Sequence, residues 1–245
     1  MHDVTRGTFT RLTFNTAADV FPVWTPDGER VVFRSNRDGS TRLFWKAADG
    51  TGPAERLSDE PVLPFSVSPD GRTLMGALFQ PETSWDVVEV SLDGDPAVKP
   101  LVVGPLNQVD PQISPSGKWL AYMSRESGLP EIYVRPYPDV DAGRWQVSTS
   151  GGRSPMWSPR EDELFYRNGE QMLAVPVATG RGFEHGAPLV LFEGNYYFGP
   201  AVKSYDIASD GQRFLMIKED ASPEGLARNE IHVVLNWFEE LRALQ

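Results

Sequence analysis

The apolar positions of this chain fall in short runs broken by polar turns, and one such pair of runs recurs five times. Its fullest spelling is Val23-Trp24-Thr25-Pro26-Asp27-Gly28-Glu29-Arg30-Val31-Val32-Phe33. It returns as Val67-Ser68-Pro69-Asp70-Gly71-Arg72-Thr73-Leu74 and as Ile113-Ser114-Pro115-Ser116-Gly117-Lys118-Trp119-Leu120. Two looser copies follow, Trp157-Ser158-Pro159-Arg160-Glu161-Asp162-Glu163-Leu164 and Ile207-Ala208-Ser209-Asp210-Gly211-Gln212-Arg213-Phe214. The turn aspartate or its replacement stands at 27, 70, 116, 160 and 210, which gives spacings of 43, 46, 44 and 50 residues, the size of a propeller blade.

The turn chemistry explains the spelling. Proline presets φ at the first central position, Asp or Ser bonds nearby backbone, and Gly accepts the positive φ that ends the turn. Each copy therefore joins two strands. The second strands are predicted at 30–35, 73–79, 118–124, 163–167 and 213–218, and third strands at 42–46, 86–90, 131–135, 171–177 and 230–236, all rich in apolar, β-branched or aromatic residues. Fourth strands read at 54–57, 99–103, 144–147 and 188–192. Four strands per repeat make a blade.

The expected fold class is all-β: a five-bladed β-propeller in a single domain over 1–245, with repeats at 15–58, 59–104, 105–148, 149–193 and 194–237. The fifth repeat has no fourth strand of its own. Residues 8–14 read as a fourth strand without a blade, so they are expected to complete the last blade and close the ring, which removes exposed sheet edges. The competing expectation is a segment of a longer propeller whose ends meet other blades. Residues 237–245 read as a short terminal helix, with Asn236 as N-cap, Glu239 and Glu240 in the first turn, and Trp237, Leu241 and Leu244 on one stripe.

Composition narrows the partners. The net charge is −11, from 34 acidic and 23 basic residues with no basic cluster, so nucleic acid is not expected as a partner. Cysteine is absent, which leaves no disulfide, thiolate metal site or cysteine nucleophile. No apolar run reaches membrane-span length and the first residues lack a signal-peptide core, so no membrane insertion is expected of this chain; its compartment stays open.

Pro22-Val23-Trp24-Thr25-Pro26-Asp27-Gly28 with Phe33-Arg34-Ser35-Asn36-Arg37-Asp38-Gly39, and in part Ile132-Tyr133-Val134 and Pro155-Met156-Trp157-Ser158-Pro159, resemble the repeats of the bacterial TolB-like, WD-type β-propellers. The likeness covers residues 8 to 237. The C-terminal Ile231-His232-Val233-Val234-Leu235-Asn236-Trp237 looks like the ending of propeller regions that follow bacterial serine/threonine kinase domains. This resemblance implies a non-catalytic scaffold or sensor holding a peptide, protein or small ligand near the propeller axis. Ser116 and Arg160 depart from the repeat aspartate and Glu161 from its glycine, so the fourth turn is expected to take another geometry.

Candidate chemistry is sparse. The three histidines are His2 near the start, His185 in a loop, and His232 within a strand, and Gly-x-Ser-x-Gly is absent, so a serine hydrolase is disfavoured. Asp93-Gly94-Asp95 and Asp139-Val140-Asp141 are acidic turn pairs; no metal and no cofactor is expected. The repeat register supplies the better argument, because equivalent positions of different blades converge on the axis. The column before each first strand reads Val20, Leu63, Val109, Arg153, Lys203, the next Phe21, Pro64, Asp110, Ser154, Ser204, and the next Pro22, Phe65, Pro111, Pro155, Tyr205.

Arg153, Lys203, Asp110 and Tyr205, with Phe21 and Phe65 as apolar walls, are therefore the candidate ligand-binding residues, suited to a peptide or protein carboxylate. The bland reading makes the two cations ordinary surface ion-pair partners. A hydrolase reading would use Asp110, Gln112 and Asp206 around a divalent ion. Tyr196, Tyr197 and Phe198, with Trp237, either pack inward or form an interaction patch.

Closure carries a direct consequence. Deleting residues 1–14 is expected to lower the midpoint of urea unfolding and its cooperativity; an unchanged transition contradicts a ring closed by this segment.

Overall fold

The computed structural model describes residues 1–3, 6–94, 96–197, 199, 203–218 and 230–234. The expected terminal helix with Trp237 and the residue Phe198 lie outside these, and among the described residues there is no helix. The chain divides into two compact units, residues 1–105 and 106–245.

The first unit holds two four-stranded antiparallel sheets. One runs Asp19–Trp24, Arg30–Ser35, Arg42–Ala47, Glu55–Ser58; the other runs Leu63–Val67, Thr73–Gln80, Ser84–Ser91, Val98–Val102. Val32, Leu43 and Leu57 of the first sheet pack against Leu74, Leu78, Val88 and Val90 of the second in one buried cluster. Within the second sheet the backbone is crowded at Gly76, where an added Cβ would press on Val62 and stand 2.8 Å from the Leu63 carbonyl oxygen. Thr8–Phe9 pairs with His2–Asp3 in a separate two-stranded ribbon, and residues 10–14 form no strand.

The second unit begins with a four-stranded sheet, Gln108–Ile113, Trp119–Ser124, Glu131–Pro136, Trp145–Gln146. The next runs Arg153–Trp157, Glu163–Asn168, Gln171–Ala178, and both Glu184–His185 and Leu189–Glu193 pair with that third strand. The last has three strands among the described residues: Tyr205–Ile207, Phe214–Lys218, Glu230–Val234. Met156, Phe165 and Met172 of the fourth sheet meet Phe214 and Met216 of the fifth, with the rings of Phe165 and Phe214 edge to face at 5.0 Å. These sheets have the form of propeller blades.

The five turns share one geometry. In each, the fourth residue donates its N–H to the carbonyl of the first: Gly28 to Thr25, Gly71 to Ser68, Gly117 to Ser114, Glu161 to Ser158, Gly211 to Ala208, at 2.8 to 3.0 Å. A hydroxyl at the first position braces four of them. Thr25 Oγ1 accepts the Arg30 N–H at 3.0 Å and donates to Asp27 at 2.6 Å, and Ser68 does the same for Thr73 and Asp70. These hydroxyl bonds, helped by backbone N–H groups, hold the Asp27 and Asp70 carboxyls below the usual carboxylate range.

The fourth turn corrects an expectation. Glu161 takes φ 58°, close to the 71°, 74°, 70° and 70° of the four glycines, so the geometry is kept despite the side chain. A left-handed non-glycine residue costs roughly 1–2 kcal/mol. Glu161 offsets this by accepting from the Ser116 N–H at 2.7 Å and the Ser116 hydroxyl at 2.9 Å, a bond from the fourth turn to the third. Asp162 replaces the missing aspartate, accepting from the Ser158 hydroxyl at 2.6 Å.

Other departures have local causes. The strand expected at 144–147 shrinks to Trp145–Gln146 because Ile132 gives its N–H to Ser148 Oγ at 2.8 Å, ending the backbone ladder. His185 is exposed as expected, but it lies in a two-residue strand, because Phe183 just before it is buried among Trp119, Trp145 and Trp157.

Ser68→Ala leaves the Thr73 N–H without its hydroxyl partner and is expected to cost about 1–3 kcal/mol. Urea unfolding of the two proteins measures it, and an unchanged midpoint refutes the bracing role.

Candidate functional site

The first strands of four sheets carry a register shift at the columns picked out by the repeat. It falls between Val20 and Val23, Pro64 and Ser66, Val109 and Gln112, and Arg153 and Met156. Each is a one-residue bulge, which bends a strand and redirects its side chains. Phe21, Asp110 and Ser154 sit in these bulges with φ of 57°, 57° and 51°. Three positions of one column thus share an uncommon backbone, a state that clusters at functional sites.

In the second unit the column becomes a chain of hydrogen bonds through three successive sheets. The Ser154 N–H donates to Asp110 Oδ2 at 3.1 Å, with the Ser154 hydroxyl 3.4 Å from the same oxygen. The Tyr205 hydroxyl donates to the Ser154 carbonyl at 2.7 Å. Asp110 is 7% exposed and Tyr205 3% exposed, so the two side chains stitch sheets together.

Cations surround this chain unevenly. Arg153, half-buried, lies beside Asp110, and its positive charge pulls against the carboxyl's upward shift. Arg167, its cross-strand partner, is fully buried and donates to the Gly169 carbonyl at 3.0 Å. Burial draws the Arg167 guanidinium down from its ordinary value. Lys203 is exposed and pairs with Asp206 at 3.3 Å, the ordinary ion-pair reading. Ser204 Oγ and Gln108 Oε1 are buried with no hydrogen-bond partner among the described residues.

In the first unit, Phe21 is half-buried with Arg34 5.8 Å from its ring centre, and Phe65 is buried. Gln112 is buried, and its carbonyl accepts the Trp157 indole N–H at 3.1 Å. Among the described residues no three His, Asp or Glu side chains gather to hold a metal ion. Of the acidic turn pairs, Asp93 faces Arg72 at 3.2 Å and Asp141 faces Arg135 at 3.6 Å. Tyr196 is half-buried against Phe192, ring centres 5.8 Å apart, and the Tyr197 N–H donates to the Ile217 carbonyl at 2.7 Å.

Sequence reasoning missed two residues. Ser154 stood in the right column, but its role as donor to one neighbour and acceptor from the other needs the bulge, which no residue type announces. Arg167 left no signal apart from a charge at the end of an apolar strand.

No protein-family model matches the sequence, and comparison with curated proteins finds no match. Solved structures do match. Acinetobacter baumannii TolB is similar over 90% of this chain and 52% of its own, with 15% identity and TM-score 0.68. The β-propeller domain of Myceliophteria thermophila Cps50 (Swd1) is similar over 96% of this chain and 75% of its own, with 11% identity and TM-score 0.61. The periplasmic gluconolactonase of Pseudomonas aeruginosa is similar over 94% and 77%, with 18% identity and TM-score 0.57. The chain spans about half the length of the TolB chain it matches. Its fold is that of the TolB-like and WD-type β-propellers.

Burial raises the Asp110 carboxyl above its ordinary value, against the Ser154 hydrogen bonds and Arg153. A carboxyl whose folded pKa is raised binds its proton more tightly in the folded state. Its contribution to stability is complete below the unfolded pKa and is lost as pH rises through the folded one. Asp110→Asn keeps an acceptor for the Ser154 N–H and removes the titration. The stability of wild type relative to Asp110→Asn is therefore expected to fall between pH 4 and neutrality in urea unfolding; a pH-independent difference contradicts the assignment.

Proposed function

We propose that this chain is a non-catalytic propeller scaffold or sensor that binds a peptide or protein at the loops leading into its first strands, with a ligand carboxylate seated on Arg153. The observation that carries the reading is the half-buried Arg153 at a strand bulge beside the buried Asp110, in a chain of net charge −11. A guanidinium presents a planar fork of donors matched to a carboxylate. The Ser204 hydroxyl, without a hydrogen-bond partner among the described residues, and the neighbouring Lys203 extend the same polar column. Phe21 and Phe65, in the equivalent columns of the first unit, are its apolar counterparts.

Catalysis is the weaker reading, although the fold is shared with a gluconolactonase. The groups best suited to acid–base work, Asp110 and Tyr205, are engaged with Ser154, and burial pushes the Tyr205 hydroxyl well above its ordinary value. Five blades belong to the same proposal; the closing strand expected at residues 8–14 does not, because Thr8–Phe9 pairs with His2–Asp3 and residues 10–14 form no strand. The repeat spacing supports them, and so does a fifth sheet of three strands among the described residues.

An array of peptides with free and amidated C termini tests the ligand. Binding is expected only with free carboxyls, and the double variant Arg153→Glu, Lys203→Glu is expected to abolish it with folding intact. Equal binding of amidated peptides, or by the double variant, contradicts the proposal.

A further inference from the structure

The second sheet carries a feature of a different kind at the turn between its two middle strands. Thr73–Gln80 and Ser84–Ser91 are eight residues each, against six for the middle strands of the first sheet, so this hairpin is the longer. Near its tip Phe79 and Trp85 are directly paired across the strands, rings edge to face at 5.7 Å, and Phe79 is 53% exposed. Glu82, exposed, stands in the connecting turn between them.

The tip is held in shape from beneath. Buried Asp86 accepts from the Thr83 hydroxyl on one side and from the Gly104 N–H, at 3.3 Å, on the other. Ser84 is fixed at φ 78°, a left-handed conformation that a loose turn would relax. An exposed aromatic pair on a preorganised support loses little conformational entropy on binding.

The rest of the unit indicates what the pair accepts. Three half-exposed or exposed rings of the first sheet and its approach are capped by an arginine of the same chain, Phe14 by Arg11 at 5.5 Å, Phe21 by Arg34 at 5.8 Å and Trp45 by Arg30 at 3.8 Å, whereas Trp24, 49% exposed, has none among the described residues. Buried Phe33 and Phe44 share Arg37. Among the described residues no arginine or lysine lies over Phe79 or Trp85. The face of an aromatic ring attracts a guanidinium, and a carboxylate beside it adds a hydrogen-bonding counter-charge.

We propose that Phe79, Trp85 and Glu82 form a docking point for an arginine side chain of a basic peptide segment in a partner protein. It shares no residue with the Arg153 column, so either proposal stands without the other. The acidic chain as a whole favours approach of such a segment.

The probe is a short peptide with one central arginine, and its control is the same peptide with citrulline, which keeps shape and loses charge. The indole N–H resonance of Trp85 in the full chain, identified as the peak missing from Trp85→Phe, is followed by NMR. It is expected to shift with the arginine peptide and not with citrulline. Phe79→Ser, an exposed substitution that leaves the core untouched, and Glu82→Gln are each expected to weaken binding about 2- to 5-fold. Equal shifts with both peptides, no shift with either, or unchanged affinity in both variants overturns the proposal.

Discussion

The small bracket at each turn is the constraint on which the rest depends. In four of the five a hydroxyl accepts the N–H five residues ahead; in all five the first residue's carbonyl accepts from a residue in left-handed conformation, and two strands leave the turn in fixed register. Register decides which side chains face the neighbouring sheet, since a slip of one residue turns every side chain over. Val32, Leu74, Phe165 and Phe214 reach their clusters only because the turns before them are set this way. The same register places the bulges, and the bulges place Asp110 and Ser154.

The site grows out of that scaffold by a change of residue type at fixed positions. In the first unit the bulge column holds Phe21, an aromatic, and the second sheet there has Pro64. In the second unit it holds Asp110, Ser154 and Ser204, and the column becomes polar. Burying a carboxyl is costly, and here two Ser154 donors and a nearby guanidinium offset only part of the cost, as the raised carboxyl shows. A fold that needed only stability would fill the position with an apolar side chain.

Much of this was legible from the residues. Turn chemistry, blade spacing and strand order could be read because Pro, Asp, Gly and the turn hydroxyls act locally, and local preferences survive in the fold. The fourth turn misled for the opposite reason: Glu161 keeps a glycine's backbone because Ser116, 45 residues earlier, binds its carboxylate. The register columns put Asp110 and Tyr205 in one group, but the link between them runs through the backbone of Ser154, which side-chain identity does not reveal. Lys203 was placed by column alone, and its bond to Asp206 comes from a three-residue spacing on its own loop. The docking point proposed at Phe79 and Trp85 was invisible because it depends on which rings lack an arginine.

The central proposal is that Arg153, next to the hydrogen-bonded Ser154, forms the seat of a ligand carboxylate. Its most direct measurement is an NMR titration of the intact chain with a free-carboxyl peptide from the array, following the Arg153 Nε–H and the Ser154 amide. The account predicts that both shift together and saturate at one affinity. Saturable binding that leaves both resonances in place would put recognition elsewhere on the molecule and contradict it.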